Sequence, residues 1–334
     1  MSRVHDALRK AAQEAPQPPR PAAPRAQTPP VAAVETVERR ANGDETLPLP
    51  VEKTLPAVPV FVDVASDIDQ LEEIIGNAQR LPYNPLPKAL LVNPSMPREA
   101  PAEEFRTLRT RLNHLQTLQP LHTLVVTSAS PAEGKSFTAT NLAVTQAQLA
   151  DKRVLLADFD FRRPSVDKTF QIPGSPGLTD YLLGKARLHD ILRKLGDTNL
   201  YVITAGEAVQ NPLELLNLKE CKALIDGVRN HFDWVILDSP PLLFAADGNL
   251  LATMCDGTIL VVRIGTTTFD SVTRALQSLC ENNVLGVVVN GARRGELYSK
   301  YTYYHNYYYA PEEGGEEAAT EAGEAEEVAA QAQE

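Results

Sequence analysis

Cysteine is scarce in this 334-residue sequence, and no apolar run approaches the length of a membrane span. The three cysteines, Cys221, Cys255 and Cys280, lie far apart, and their odd number and spacing argue against a disulfide framework and a zinc site. The N-terminus also lacks the apolar stretch of a signal peptide. These absences predict a cytoplasmic protein that meets the inner face of the plasma membrane only through a partner.

The chain also lacks a net positive charge. The net charge is −11, and the last 23 residues contain nine glutamates and no lysine or arginine. The rest of the chain is therefore nearly neutral and lacks the positive surface that nucleic-acid binding requires. We expect no nucleic-acid partner.

Composition divides the chain into five segments. The first 60 residues contain eleven prolines and few large apolar residues, so they cannot bury enough surface to offset chain entropy. A short docking helix is expected at the very start, with a frayed terminus as the alternative. The predicted segments are a docking helix (1–14), a Pro-rich disordered linker (15–87), a folded domain (88–296), a tyrosine-rich segment (297–310) and an acidic disordered tail (311–334).

The folded domain is organised around a phosphate-binding loop. The apolar run Leu124–Val126 predicts a strand, and the pattern from Phe137 onward predicts a helix. Backbone N–H groups between them point at an anion, and Lys135 is placed to reach the outer phosphates. Ala129 stands where the signature has its first glycine, so a structural turn is the alternative. The expected nucleotide-binding residues are Ser130, Pro131, Ala132, Glu133, Gly134, Lys135, Ser136 and Phe137.

Three acidic residues follow two further apolar strands. Asp158 and Asp160 come at the end of one predicted strand, and Asp238 ends another. Strands that alternate with helices predict a doubly wound, mainly parallel α/β sheet of the P-loop NTPase kind, with helices on both faces. Ligands bind at the carboxyl ends of such strands, so these acids are expected beside the phosphate loop. A simple turn after a core strand is the alternative for the first two.

The same residues suggest phosphoryl transfer. Ser136, Asp160 and Asp238 are the expected Mg²⁺ ligands, because hydroxyl and carboxylate oxygens suit this ion. Asp158 would lie where an acceptor hydroxyl arrives and is the expected base.

An acceptor is visible near the C-terminus. Seven of the ten tyrosines crowd twelve residues, without the spacing of a helix or strand. A sticky segment or a partner-binding aromatic patch are the alternatives. The expected phosphoacceptors are Tyr298, Tyr301, Tyr303, Tyr304, Tyr307, Tyr308 and Tyr309.

One helix near the start of the domain carries charges at regular spacing. Glu103, Arg106 and Arg109 step by three, beside an apolar stripe. By itself this pattern indicates a solvated face with ion pairs within the helix.

Together these motifs resemble the bacterial tyrosine kinase (BY-kinase) family. Ser130–Ser136 is similar to its Walker A motif, Leu155–Pro164 to Walker A′, and Val235–Pro241 to Walker B, with the tyrosine cluster behind them. The resemblance covers roughly residues 88–310. It implies ATP as phosphate donor, Mg²⁺ held by Ser136, Asp160 and Asp238, and catalysis by Asp158, Lys135, Asp160 and Arg162. It also implies that Glu103, Arg106 and Arg109 assemble a homo-oligomeric ring.

The family resemblance further implies a cellular role. Its members phosphorylate their own tyrosine cluster between neighbouring subunits and tune capsular or exopolysaccharide synthesis and export, with a membrane co-polymerase as activator and a tyrosine phosphatase as antagonist. Ala129 and Ala132 depart from the family pattern. Two other functions remain open, a positioning ATPase of the MinD/ParA partition type and a non-catalytic ATP-binding scaffold of a polysaccharide exporter. Ser130 counts against the positioning ATPase, because the loop of partition-type ATPases has a second lysine at this position.

Overall fold

The structure, a computed structural model, describes residues 63–87, 89–90, 100–279 and 284–292. Within these residues it contains eight strands and eleven helices. The strands are β1 (Gln79–Leu81), β2 (Thr123–Ser128), β3 (Val154–Asp158), β4 (Arg193–Leu195), β5 (Leu200–Ile203), β6 (Trp234–Asp238), β7 (Gly257–Arg263) and β8 (Val284–Asn290). The helices are α1 (Val64–Asp69), α2 (Leu71–Gly76), α3 (Ala100–Leu118), α4 (Lys135–Ala147), α5 (Val166–Phe170), α6 (Leu178–Leu182), α7 (Leu188–Ile191), α8 (Pro212–Leu216), α9 (Lys219–Val228), α10 (Asp247–Met254) and α11 (Phe269–Ser278).

The strands form one sheet in the order β1-β4-β5-β3-β6-β2-β7-β8. Every neighbouring pair is parallel except β4 and β5. The central strands β2, β3 and β6 are buried along their whole length, which is why their sequences are continuous apolar runs rather than alternating ones. The predicted doubly wound, mainly parallel sheet is confirmed.

Apolar side chains pack on both faces of the sheet. One cluster joins Leu155, Val235 and Leu237 to α1, α2, α6 and α9, and the other joins Leu156 and Ile236 to α3 and α4. Successive residues of a strand point to opposite faces, so β3 and β6 supply both clusters. The sheet is thereby held between two helical layers, and its carboxyl edge stays free for a site.

The predicted linker is too long at its C-terminal end. Residues from Val64 to Leu81 form α1, α2 and β1, and β1 pairs with β4 in parallel. Leu71 is fully buried in the core, and the Tyr181 hydroxyl donates to Asp67 at 2.9 Å. The sequence gives little sign of this packing, because the segments that Asp67 and β1 contact, α6 and β4, lie more than 100 residues away.

Several predicted features lie outside the described residues. These are the docking helix (1–14), most of the Pro-rich linker, Cys280, the tyrosine cluster and the acidic tail. Among the helices that the structure does describe, none combines the length and apolar character that a membrane crossing demands.

Candidate nucleotide site

The order of the strands brings three chain segments together at one edge. β6 lies between β2 and β3, so Asp238 at its end is in register with Val126 on one side and Asp158 on the other. The loop after β2 leads into α4, whose first residue is Lys135. The phosphate loop and the acidic strand ends predicted from sequence are therefore neighbours.

The loop has the left-handed backbone that points N–H groups inward. Gly134, which precedes α4, has φ 97°, and Ala132 has φ 64°. Glycine adopts such angles freely, whereas an alanine there carries strain. The departure from the family pattern at Ala132 thus falls on a residue whose backbone favours glycine.

Lys135 lies at the centre of the site. Its ammonium group donates to Asp160 Oδ2 at 2.6 Å and to Ser136 Oγ at 3.1 Å, and it lies 3.7 Å from Asp238 Oδ1. All but a tenth of the lysine is buried. The predicted phosphate-binding lysine and the three predicted metal ligands are thus within one another's reach.

The charges of the site perturb one another. Burial lowers the pKa of Lys135, but the carboxylates of Asp238 and Asp160 outweigh it and raise the pKa above its ordinary value. Burial raises the pKa of Asp238, opposed by the nearby Lys135 charge. The lysine is therefore fully charged at neutral pH and neutralises part of an acidic cavity.

Asp158 is placed differently from its neighbours. Its Oδ1 accepts from the Asp160 N–H at 3.1 Å, and its Oδ2 accepts from the N–H groups of Ser165 and Val166 at 3.0 and 3.1 Å. It is completely buried and ties the segment after β3 to the start of α5. Oδ1 has a single backbone donor and keeps a lone pair, which could accept a proton from a tyrosine hydroxyl, as predicted.

Arg162 has a partner that sequence reasoning missed. Its guanidinium donates to both oxygens of Asp247, at 2.8 and 3.2 Å, and Asp247 is completely buried at the start of α10. The pair joins the acidic segment after β3 to the helix after β6. A lone acid at the first position of a helix that follows the Walker B segment is the signal that could have identified it.

Three further residues that contact the phosphate loop were also missed. Arg263 ends β7, Thr267 follows it and Asn290 ends β8, and their side chains donate hydrogen bonds to Ala132 and Glu133. The one signal in the sequence is the Asn290 amide at the end of an apolar strand. The contacts themselves join segments more than 130 residues apart and leave no pattern in sequence.

The residues fit a magnesium nucleotide. Neither carboxylate oxygen of Asp238 has a hydrogen-bond partner among the described residues, although both are buried. Unpaired buried oxygens beside another carboxylate and a hydroxyl are the donors that Mg²⁺ prefers. In the described part of the chain, no cluster of three or more His, Cys, Asp or Glu could enclose a metal. Phosphates and water would complete the coordination, as is usual for this ion.

The predicted oligomerisation helix uses its charges within the chain. Arg106 pairs with Glu103 one turn away, and Arg109 donates to the Thr145 carbonyl of α4 at 2.9 Å. The structure thus shows the intrahelical pair that the spacing by itself indicated, together with a contact between helices.

Comparison with known proteins gives consistent matches. A family model described as an AAA domain matches residues 125–281. Tyrosine-protein kinase YwqD of Bacillus subtilis is 37% identical over 210 residues, which cover 62% of this chain and 88% of YwqD. Tyrosine-protein kinase etk of Escherichia coli is 32% identical over 232 residues, which cover 68% of this chain but only 31% of that longer protein.

A solved structure agrees with these matches. The kinase domain of the Escherichia coli tyrosine kinase ETK superposes with a TM-score of 0.56 at 32% identity. The superposition covers 59% of this chain and 77% of that domain.

Proposed function

Because this chain belongs to the bacterial tyrosine kinase family, we propose that it transfers the γ-phosphate of Mg²⁺-ATP to tyrosines of its own C-terminal cluster. Members of such a family are protein-tyrosine kinases, and the chain has the loop and acids that this enzyme class needs. The acceptors would be the tyrosines between Tyr298 and Tyr309, on a neighbouring subunit.

The single observation that carries this proposal is the convergence on Lys135. One lysine from the phosphate loop lies 2.6 Å from Asp160, just after β3, and 3.7 Å from Asp238, at the end of β6. Phosphoryl transfer depends mainly on positioning and on neutralising charge, and these groups supply both. Without a ligand the lysine balances the acids. With Mg²⁺-ATP bound it would turn to the phosphates while the acids and Ser136 hold the metal.

The position of the acceptor supports the same function. Asn290 ends β8 and donates to the phosphate loop, and the first tyrosine of the cluster is Tyr298. The eight residue steps from Asn290 to Tyr298 span at most about 28 Å when extended. This reach from the end of β8 would allow a tail from one subunit to enter the site of another.

Asp158 would act as the base for the tyrosine hydroxyl. Burial and the neighbouring Asp238 raise its pKa, so its ionised form is a stronger base than an ordinary aspartate. Oδ1, whose one donor is the Asp160 N–H, would accept the proton. Arg162, fixed by Asp247, would hold the segment after β3 in place.

The cellular setting is part of the same proposal. Regulation of capsular or exopolysaccharide synthesis and export, assembly into a ring through Glu103, Arg106 and Arg109, and reset by a tyrosine phosphatase follow from the family resemblance. We place the chain in the cytoplasm, held at the inner face of the plasma membrane by a co-polymerase that also activates it.

Phosphopeptide mapping tests the proposal. Purified protein is incubated with Mg²⁺-ATP, with and without the cytoplasmic segment of the co-polymerase partner. Phosphate is expected between Tyr298 and Tyr309, absent in Lys135→Met, and strongly reduced in Asp158→Asn although nucleotide still binds. If no phosphotyrosine forms in either condition, the kinase proposal is wrong. Nucleotide binding without transfer would then favour the scaffold, and hydrolysis stimulated by DNA or lipid the positioning ATPase.

A mixing experiment tests transfer between subunits. The Lys135→Met chain, which keeps its tyrosines, is mixed with a chain that has the intact site but ends at residue 296. Label on the Lys135→Met chain shows transfer in trans. If wild type is labelled but neither chain of the mixture is, each chain modifies only itself.

A further inference from the structure

The phosphate loop is held from the side by the ends of β7 and β8. Thr267 Oγ1 donates to Glu133 Oε1 at 2.6 Å, and Asn290 Nδ2 donates to the Glu133 carbonyl at 2.9 Å. The other carboxylate oxygen of Glu133 accepts from the Ser130 N–H at 3.0 Å. One glutamate therefore closes the loop on itself and fastens it to two strands that contribute no metal ligand.

Glu133 has little alternative to these partners. It is 3% exposed, and an ionised carboxylate at that depth needs hydrogen-bond donors. Its two oxygens receive one backbone donor, from Ser130, and one hydroxyl donor, from Thr267. The glutamate therefore holds the loop through contacts that involve neither Lys135 nor the three aspartates.

The loop needs such a fastening because of its backbone. Ala132 is left-handed at φ 64°, a conformation that L-residues with a side chain avoid. Arg263 donates to the carbonyl of this residue at 3.0 Å. Asn290 also approaches Gly134 so closely that a Cβ there would lie 1.9 Å from its amide nitrogen. Strained residues persist where surrounding contacts fix them.

We propose that Thr267 and Asn290 are positioning residues, which hold the phosphate loop in its anion-binding shape against the strain at Ala132 before nucleotide arrives. The inference rests on the proposed function only for the expectation that Thr267 and Asn290 affect nucleotide affinity. That the two residues hold the loop does not depend on the proposed function. Among the described residues, neither forms a hydrogen bond with Lys135 or with Asp158, Asp160 and Asp238. Their loss would therefore weaken ATP binding through the loop rather than through the transfer step.

Hydrogen exchange without nucleotide tests whether Thr267 and Asn290 hold the phosphate loop. Thr267→Val and Asn290→Ala are expected to accelerate exchange of the amides between Ser130 and Ser136 at least about fivefold, because local opening becomes easier. Thr273→Val is the matched control, since its hydroxyl donates only to the Phe269 carbonyl within α11. Exchange in the loop equal to that of the control in both variants overturns the inference, whether or not the wild type binds ATP.

A nucleotide titration combined with Ala132→Gly tests the effect on nucleotide affinity. Thr267→Val is expected to raise the Kd for Mg²⁺-ATP about tenfold, and clearly less in the Ala132→Gly background, because glycine adopts the left-handed backbone without strain. Asn290→Ala provides the second series should Thr267→Val not fold. Equal factors in both backgrounds would contradict the role of the strain. A wild type that binds no nucleotide would refute the proposed function, while the exchange result would still decide the inference.

Discussion

Asp158 and Asp238 lie side by side in register at the ends of the parallel strands β3 and β6, both completely buried. Two carboxylates so placed cannot both ionise at low cost. Burial, and after it the charge of Asp238, raise the pKa of Asp158 to about 8. When both are ionised, the pair therefore carries unfavourable negative charge, which a bound metal cation would reduce.

This pair predicts how stability depends on pH. A carboxyl whose pKa is higher in the folded than in the unfolded chain binds its proton more tightly when folded, so it stabilises the fold most below its unfolded pKa, near 4, and this contribution is lost as pH rises towards 8. We expect the free energy of unfolding of wild type, relative to Asp158→Asn, to fall between pH 5 and pH 8. Denaturant titrations without metal measure it. A difference that stays constant over this range would contradict the prediction.

The contact between Arg162 and Asp247 makes a second prediction. Arg162→Ala leaves a buried carboxylate without its two donors, which should cost about 2 kcal/mol of stability and slow phosphorylation. Lys185→Ala is the control, because its pair with Glu207 is exposed to solvent and should contribute little to stability. Thermal and denaturant unfolding compare the two. Equal losses would show that the buried pair has no special structural role.

Gly134 and Gly265 both have a positive φ, so alanine substitutions at the two positions distinguish backbone strain from steric collision. Gly265, at φ 77°, has open space where a Cβ would lie, so Gly265→Ala should cost only about 1 to 2 kcal/mol. Gly134→Ala adds a collision with Asn290 and should also abolish binding of Mg²⁺-ATP. Binding titrations of the two variants decide the matter. If Gly134→Ala binds nucleotide as Gly265→Ala does, the loop is more adaptable than its contacts indicate.

The charged helix α3 makes a prediction about assembly. If Arg106 and Arg109 hold subunits together, the double change to alanine should convert a ring into monomers in sedimentation, whereas Arg111→Ala on the exposed face of the same helix should not. The structure also gives these residues partners within the chain. Unchanged sedimentation combined with lower stability would mean that only the internal contacts matter.

Much of the site could be predicted from sequence because it follows local rules. A strand, a Gly-Lys-Ser turn and a helix in this order predict a phosphate loop, and apolar strands that end in Asp158 and Asp238 deliver acids to the carboxyl edge of a parallel sheet. The confirmed fold rests on the same alternation of strands and helices. The docking helix, the tyrosines and the tail remain predictions, since they lie outside the described residues.

The remainder depended on contacts between distant segments. Periodicity gave no sign that residues 79–81 join the sheet, that Asp158 would accept from three backbone donors, or that Asn290 would touch Glu133 across 157 residues of sequence. The sequence by itself determined which residues could bind a phosphate and a metal, because that chemistry resides in residue types and short spacings. Only the tertiary structure decided which carboxylate is free, which is occupied and what holds the loop, because strand order and burial bring together groups that no local pattern connects.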